Sequence, residues 1–347
     1  MNKYIFLISA LIISILAFVS CNSANNGVTS IKASNPVNAS ATETYTLQED
    51  NNPINPSNIF NLNNEYLIVI NRADQGVFRV YNLPELDYLY SWGRMGRGPD
   101  ELSFVSLSQI NTTSSGLLLL ENELAQLKYY EVTDTGFVFK KKANLSYPSK
   151  KQPFNNLIRV NDSTYYARYG YDKTTDKEFI ALRPELNEVL FTFGTYPGGS
   201  DLTGPARSQK YSKVSTAQPQ GELFVSFYRH LNRFKIFNYE GNLIRYISIN
   251  DDYITDDPSE DYIFRTIATS TNEHIYTLGV FNTEEKLSQD PDNFTPIIEI
   301  WSWEGKPIKR LKIDQKIHRF AVSDKYETLY GFSIFDPSKI VTYKLDL

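Results

Sequence analysis

A repeat of about fifty residues runs through most of the chain and limits the folds it can adopt. Six segments share an alternating apolar strand, and in the first five a polar turn and a second alternating strand follow. Aligned on one apolar position, the segments are spaced by 49, 52, 55, 64 and 42 residues. The aligned residues are Tyr81, Tyr130, Leu182, Phe237, Trp301 and Tyr343. With two further strands upstream of each pair, the repeat predicts one four-stranded propeller blade per unit.

The two ends of the folded region complement each other. The last repeat stops at Leu347 after its third strand, while residues 44–47 form a predicted strand without a blade. If this strand completes the last blade, the ring closes and leaves no long exposed edge. The 48 aromatic residues also favour strands. We therefore predict an all-β, six-bladed β-propeller of four-stranded antiparallel blades over residues 42–347, closed by its N-terminal strand.

The N-terminal segment has the composition of an export signal. Lys3 precedes an apolar run from residue 4 to residue 19, which predicts a signal peptide over residues 1–20 and makes a transmembrane anchor the weaker alternative. Residues 18–21 resemble a bacterial lipobox, so Cys21 is the predicted lipidation site and membrane anchor. It is the only cysteine, so an intrachain disulfide is excluded. Residues 21–41, rich in Asn, Ser and Ala, are predicted to be a flexible tether.

The net charge narrows the choice of partner. At −5, with a pI near 5.4, the chain lacks the basic surface that nucleic acid binding requires. We expect no nucleic acid partner. The expected location is the cell envelope, lipid-anchored and at the outer membrane, with the periplasmic or surface face left open. The expected partner is an envelope protein or a glycan.

The glycine-rich stretch GRMGRGPDEL, residues 93–102, follows the outer strand of the first blade. A phosphate-binding loop of the Walker type needs a lysine and a hydroxyl after its last glycine, whereas Pro99 and Asp100 follow here. Glycines that permit positive φ and a proline that fixes the next turn suit a tight crossover between blades. We interpret the stretch as a structural connection.

The same stretch carries a family resemblance. Residues 96–102, GRGPDEL, resemble the inter-blade motif of TolB-like and NHL-type six-bladed propeller lipoproteins of the bacterial envelope, with a fainter echo at residues 193–199. The other blades depart from the motif. The resemblance implies an envelope lipoprotein with a binding role and with no general set of catalytic residues to carry over.

Insertions predict which face of the propeller is functional. Long segments fall between an outer strand and the next inner strand, or between second and third strands, and both kinds of connection emerge on one face. Arginines suit carboxylates and planar polar groups there, and tyrosines offer a stacking surface. The candidate ligand-binding residues are Arg72, Asp74, Arg94, Arg97, Glu121, Arg168, Tyr169, Arg207, Tyr228, Arg229 and His230. The competing interpretation of each arginine is an ion pair that joins neighbouring blades.

The leading prediction is a non-catalytic binding module without a cofactor. No G-x-S-x-G or H-E-x-x-H motif is present. The alternative is a propeller enzyme, a metal-dependent lactonase, glycan hydrolase or lyase, with acids from separate blades. Its candidates are Glu121, Asp74 and His230. His230, His274 and His318 fall at different strand positions, which argues against a zinc triad, and the acidic residues 250–261 lack the pattern of a calcium loop.

Overall fold

The computed structural model describes most of the chain beyond the N-terminal segment. The described residues are 27–47, 55–72, 74–96, 101–102, 111–113, 115–121, 124, 126–145, 155–168, 176–186, 188–198, 202–252, 254, 261–291, 293–333 and 336–347. The predicted signal peptide and Cys21 lie outside this set.

Six antiparallel sheets form the blades of a propeller, as predicted. The chain begins with three short strands, β1 (Thr29–Lys32), β2 (Val37–Ala39) and β3 (Glu43–Thr46). Blade 1 contains β4 (Pro56–Leu62), β5 (Tyr66–Asn71), β6 (Gln75–Asn82) and β7 (Tyr88–Arg94). Blade 2 contains β8 (Asn111–Thr112), β9 (Gly116–Glu121), β10 (Gln126–Thr133) and β11 (Gly136–Asn144). Blade 3 contains β12 (Asn155–Arg159), β13 (Tyr165–Arg168), β14 (Lys177–Arg183) and β15 (Glu188–Thr195).

The second half repeats this order. Blade 4 contains β16 (Lys213–Ala217), β17 (Leu223–Tyr228), β18 (Arg233–Asn238) and β19 (Leu243–Asn250). Blade 5 contains β20 (Tyr262–Ser270), β21 (His274–Thr283), β22 (Ile297–Ser302) and β23 (Pro307–Ile313). Blade 6 contains β24 (Arg319–Ser323), β25 (Thr328–Ser333) and β26 (Asp336–Lys344), with β3 as its fourth strand. The first strand of each blade is the inner one, and β24 lies beside β4, so the ring is closed.

Strand β3 closes the ring as the sequence predicts. It pairs antiparallel with β26, with Thr44 opposite Val341, and it supplies the missing outer strand of blade 6. The side chain of Leu47 is buried between blades 6 and 1.

Strands β1 and β2 differ from the flexible tether expected over residues 21–41. They pair in parallel with the outer strands of blades 4 and 5, β19 and β23. Between them, the Ser34 carbonyl accepts a hydrogen bond of 3.1 Å from Arg310 Nη1. The segment is mostly exposed and polar, so backbone pairing rather than apolar burial holds it in place.

Most of the hydrophobic core lies between adjacent blades. In β5, Leu67 and Val69 pack toward blade 6, while Ile68 and Ile70 pack toward blade 2. Neighbouring blades therefore cover both faces of β5, which explains why its apolar residues are consecutive. Burying one such large apolar side chain stabilises the fold by about 1.5–3 kcal/mol. Aromatic contacts add to these interfaces, as where Trp92 stacks on Phe137 at 4.5 Å between ring centroids.

Helices are short and confined to connections. Among the described residues, the α-helices are α1 (Gly204–Lys210) and α2 (Glu284–Gln289), and a 3-10 turn spans Pro184–Leu186. Within the described part of the chain, no helix combines the length and the apolar character needed to cross a membrane.

Candidate functional site

The connections predicted to carry function emerge together on one face. Antiparallel strands place the link between second and third strands on the same face as the crossover to the next blade. Helix α1 lies in the crossover between blades 3 and 4, and α2 lies between the second and third strands of blade 5. We call this side the crossover face.

The glycine-rich connection on this face binds a carboxylate of its own chain. Glu101 Oε1 lies 3.2 Å from Arg94 Nε, and a Cβ on Gly96 would lie 1.9 Å from Glu101 Oε2. The Gly96 N–H donates to the Leu102 carbonyl, and the Leu102 N–H donates to that of Arg94. Residues 97–100, including Arg97, lie outside the described residues. The described part of the stretch is thus a closed structural turn whose anionic occupant is Glu101.

A buried ion cluster joins blades 3 and 4 beneath the crossover face. Glu178, at the start of β14, is inaccessible to solvent. Its carboxylate accepts hydrogen bonds from the Tyr228 hydroxyl at 2.7 Å and from Lys235 Nζ at 2.8 Å, and it lies 3.0 Å from Lys213 Nζ. Lys235 Nζ also donates to the Thr195 carbonyl at 2.5 Å. The predicted ligand-binding Tyr228 therefore has its hydroxyl engaged inside the molecule.

Burial and charge set the protonation of this cluster. Burial alone would raise the pKa of Glu178, but Lys213 and Lys235 outweigh it and lower the pKa below its usual value. Burial lowers the pKa of Lys213 to about 8, against the opposing pull of Glu178. Burial and the neighbouring Glu178 raise the pKa of Tyr228, so its hydroxyl stays protonated. At neutral pH Glu178 is therefore ionised, beside a Lys213 that is still mostly protonated.

Aromatic rings surround the cations of this cluster. Lys213 Nζ lies 4.4 Å from the ring centroid of Tyr196 and 5.3 Å from that of Tyr228. The guanidinium of Arg207, on α1, lies 4.7 Å from the centroid of the same Tyr196 ring. Arg168, the last residue of β13, donates to the Ser208 carbonyl at 2.8 Å. Arg168 and Arg207 thus fasten the α1 crossover to blade 3.

A second buried cluster joins blades 4 and 5. Arg265 and Glu299 are both inaccessible to solvent, with 2.5 Å between Nε and Oε2. Arg265 Nη1 donates to Asn232 Oδ1 in blade 4 at 2.9 Å. Arg310 forms a two-pronged ion pair with Asp251 at 2.9 and 2.7 Å. These groups lock blade 5 to the crossover that precedes it.

The candidate acids of the enzyme alternative lie apart in the fold. Glu121 ends β9 in blade 2 with its carboxylate buried, 2.8 Å from Lys128 Nζ. Asp74 is exposed between β5 and β6, and its carbonyl accepts from the Met95 N–H. His230 lies beyond β17 in blade 4, where its Nδ1 is 3.1 Å from the Tyr262 carbonyl. These three residues come from three different blades.

Histidines and acids do not gather into a metal site in the described residues. No group of three His, Cys, Asp or Glu side chains there has the arrangement that a metal ion needs. His230 and His318 lie on the crossover face, whereas His274 begins β21 at the opposite end of its blade. A groove of about 570 Å³ lies instead on the outer edge of blades 2 and 3, beside Lys142 and Pro184.

Three of the predicted arginines end the second strands of their blades. Arg72 follows β5, Arg168 ends β13, and Arg229 follows β17. Arg229 Nη2 approaches Glu284 Oε1 only to 3.8 Å, and His230 Nε2 lies 3.7 Å from the same oxygen. Arg72 is exposed and its backbone N–H donates to the Asn55 carbonyl. Tyr169 lies outside the described residues, so the predicted set stays a prediction.

Several charged residues of this region were not singled out from the sequence. They are Glu178, Lys213, Lys235, Arg265, Glu299, Arg310 and Arg319. A signal for some of them exists in the repeat, two residues before the aligned position of the third strand. Four blades carry a charge there, namely Arg79, Lys128, Lys235 and Glu299. A charge at a fixed position in an otherwise apolar strand indicates a buried ionic partner, which is Glu121 for Lys128, Glu178 for Lys235 and Arg265 for Glu299.

The comparisons with known proteins agree with this architecture. A family model described as TolB-like 6-blade propeller-like matches residues 55–325. The chain belongs to the TolB-like six-bladed propeller family. The family match confirms the resemblance of the glycine-rich stretch to TolB-like six-bladed propellers. No curated protein matches the chain.

Among the solved structures that share the fold of this TolB-like propeller are two from Bacteroides. One is a member of the DUF4221 family from Bacteroides vulgatus, at 12% identity and a TM-score of 0.60, covering 88% of this chain and 96% of its own. The other, from Bacteroides fragilis, is named as an exported protein and aligns at 13% identity and a TM-score of 0.54, covering 91% and 99%. At such identities the similarity establishes the propeller fold alone.

Proposed function

We propose that the chain is an exported, lipid-anchored propeller of the cell envelope that binds a ligand or a protein partner on its crossover face without catalysing a reaction. The apolar segment before Cys21 supports export and anchoring, with the outer membrane as the expected location. The name of the Bacteroides fragilis structure, an exported protein of the same fold, supports export as well.

One observation carries the binding role. The fully buried carboxylates near the crossover face, Glu121, Glu178 and Glu299, each lie within ion-pair distance of a cation. Two arginines on this face are less engaged by the protein itself, because Arg229 is 3.8 Å from its acidic neighbour and Arg72 is exposed. Acids engaged in this way stabilise the ring, whereas exposed arginines are suited to recognition.

A ligand screen tests this proposal. The melting temperature of the full chain in a nonionic detergent would be measured with acidic glycans, neutral glycans, peptidoglycan fragments and divalent cations. A ligand that prefers the native state raises that temperature. We expect a shift with a glycan or wall fragment. A shift with a metal alone, lost in Glu121→Gln, would support the metal-dependent enzyme instead.

Site-specific crosslinking covers the case of a protein partner. A photoreactive side chain at Asp74, exposed on the crossover face, is expected to capture a partner in cells. The matched control is Glu240, exposed in the turn between β18 and β19 on the opposite face. Equal capture at both positions would contradict binding through the crossover face.

Cell fractionation tests the anchor separately. Replacing Cys21 by serine removes the thiol that would carry the acyl chains. We expect the wild type in the membrane fraction and Cys21→Ser in the soluble fraction. Membrane retention of the variant would overturn the lipid anchor without bearing on the binding face.

A further inference from the structure

Two arginines from different blades lie near the place where blades 6 and 1 adjoin. In β24, Phe320 and Val322 pack between blades 5 and 6, while Ala321 packs between blades 6 and 1. Side chains alternate along a strand, so Arg319 shares the side of Ala321 and faces blade 1. Strand β24 lies beside β4, with 2.8 Å between Asn61 Nδ2 and the Val322 carbonyl.

Arg72 approaches the same place from blade 1. Its backbone N–H donates to the Asn55 carbonyl, which places it at the crossover end of β4 and β5. Burial of Arg319, and to a smaller extent the positive charge of Arg72, lower the pKa of the Arg319 guanidinium. Arg72 and the first residue of β24 therefore lie at the same end of the joint between blades 6 and 1.

Neither guanidinium is neutralised by an acid among the residues that the structure describes. The one bond found there for the Arg319 side chain runs from Nη1 to the His318 carbonyl, at 2.7 Å. Arg72 is exposed and has no described carboxylate within ion-pair distance. By contrast, the buried arginines Arg265 and Arg310 of blade 5 each have a carboxylate within 3 Å. Two adjacent uncompensated cations cost stability unless a third, negative group joins them.

We infer that Arg72 and Arg319 form an oxyanion site at the mouth of the central channel, which takes a carboxylate or phosphate group of the ligand. The inference rests on the proposed binding function and names the chemistry that the site recognises. A guanidinium presents paired N–H donors that match the two oxygens of either group. Blade 6 supplies the guanidinium of Arg319 and blade 1 that of Arg72. The bound group would therefore bridge the interface between the two blades where the ring closes.

The placement of the pair fits this role. Arg319 is the first residue of an inner strand, and inner strands line the central channel of a propeller. Arg72 lies beyond the end of a second strand, on the side where the long connections emerge. The pair is thus at the inner rim of the crossover face, open to a ligand that enters the channel from that side.

Calorimetric titration tests the inference. The full chain in a nonionic detergent would be titrated with inorganic phosphate, with glucuronate as a carboxylate sugar, and with glucose as a neutral sugar. We expect phosphate or glucuronate to bind and glucose not to bind. Arg72→Gln and Arg319→Gln should each weaken oxyanion binding by about tenfold or more, since each removes one charged fork.

The matched control is Arg245→Gln. Arg245 is exposed on β19, away from the channel, so the variant loses the same charge at another place. It should change oxyanion affinity by less than about twofold, since an exposed charge at that distance is largely screened. Thermal unfolding gives an independent readout. Removing a repelled cation should leave the melting temperature of ligand-free Arg319→Gln equal to or above that of the wild type.

Four results would overturn the inference: no binding of either oxyanion to the wild type, unchanged affinity in both site variants, an equal loss in Arg245→Gln, or a lowered melting temperature in ligand-free Arg319→Gln. Glucose binding with the same affinity in the wild type, Arg72→Gln and Arg319→Gln would refute the oxyanion site and leave the binding function intact. Binding of phosphate alone or glucuronate alone would identify which oxyanion the site prefers. Absence of any ligand together with equal crosslinking at Asp74 and Glu240 would reject the proposed function itself.

Discussion

Arg265 and Glu299 are two opposite charges that share one solvent-free space. Both side chains are completely inaccessible, and Asn232 and Thr277 complete their hydrogen bonding at 2.9 and 2.8 Å. Burying a charge costs several kcal/mol, so such a pair depends on the presence of both members. Removing one member lowers stability strongly, because the other is then a buried charge without its partner.

Arg265→Met should therefore destabilise the protein strongly. The variant leaves Glu299 buried with only the more distant Arg310, 3.4 Å from it, as a cation. We expect the free energy of unfolding to fall by about 3–5 kcal/mol, measured by chemical denaturation. Arg245→Met, at an exposed position, should change it by less than about 0.5 kcal/mol. A loss as small as that of the control would show that the pair is not buried as described.

Lys213 should give stability a measurable dependence on alkaline pH. Burial lowers its folded pKa to about 8, whereas its ordinary value is 10.5. Between these values the unfolded chain binds more protons than the folded one, so the contribution of Lys213 to stability rises with pH across this window. The full effect is about 3 kcal/mol.

The test compares wild type with Lys213→Met at several pH values by chemical denaturation. The difference in unfolding free energy should move in favour of the wild type as the pH rises from about 8 to about 10. Tyrosines that titrate at high pH affect both proteins and cancel in the difference. Lys306→Met, at an exposed lysine, should show no such trend. A flat difference for Lys213→Met would contradict the lowered pKa.

The turns that end the blades impose a different requirement, on backbone conformation. Gly241, between β18 and β19, has φ of +80°, and a Cβ there would lie 2.8 Å from Phe193 Cβ and Phe191 Cε2 on blade 3. The tight turn and the close approach of the neighbouring blade both depend on the missing side chain.

Gly241→Ala should destabilise the protein by about 1–3 kcal/mol, because it combines an unfavourable φ with overpacking. Thermal or chemical unfolding measures the effect. Gly198→Ala is the control, since a Cβ at Gly198 meets no atom within 4 Å. Similar stability in both variants would argue against the close contact between blades 3 and 4.

At the scale of strands, the sequence was informative where burial shapes the pattern. Apolar strands covered on both sides, such as β5 and β25, can be recognised by their composition. Strands β1 and β2 were not predicted, because they are short, polar and exposed and depend on hydrogen bonds to distant partners. Arg72 was a predicted site residue, but Arg319 was not. The two are far apart in the sequence, and only ring closure brings blades 1 and 6 side by side.

Ring closure is the property of the whole molecule that can be tested most directly. A chain shortened to begin at residue 48 lacks β3, which exposes the edge of β26 and removes the buried Leu47. An unpaired edge strand favours self-association. We expect a lower melting temperature and larger species in size-exclusion chromatography than for a chain that begins at residue 27.

A chain that begins at residue 42 is the matched intermediate. It keeps β3 but lacks β1 and β2, which cover the outer edges of blades 4 and 5. Its melting temperature should lie between the other two, and it should stay monomeric. If the chain from residue 48 were as stable and as monomeric as the chain from residue 27, β3 would not be needed for closure.

The pairing of the first strands also sets an order of events during synthesis. Thr29 pairs with Ile247, Val37 with Leu311 and Thr44 with Val341, so early residues find partners near the far end of the chain. At about 5–20 residues per second, the ribosome needs on the order of tens of seconds to produce those partners. Strands made first are thus the last to be seated, and a chain released before its sixth blade has no way to close.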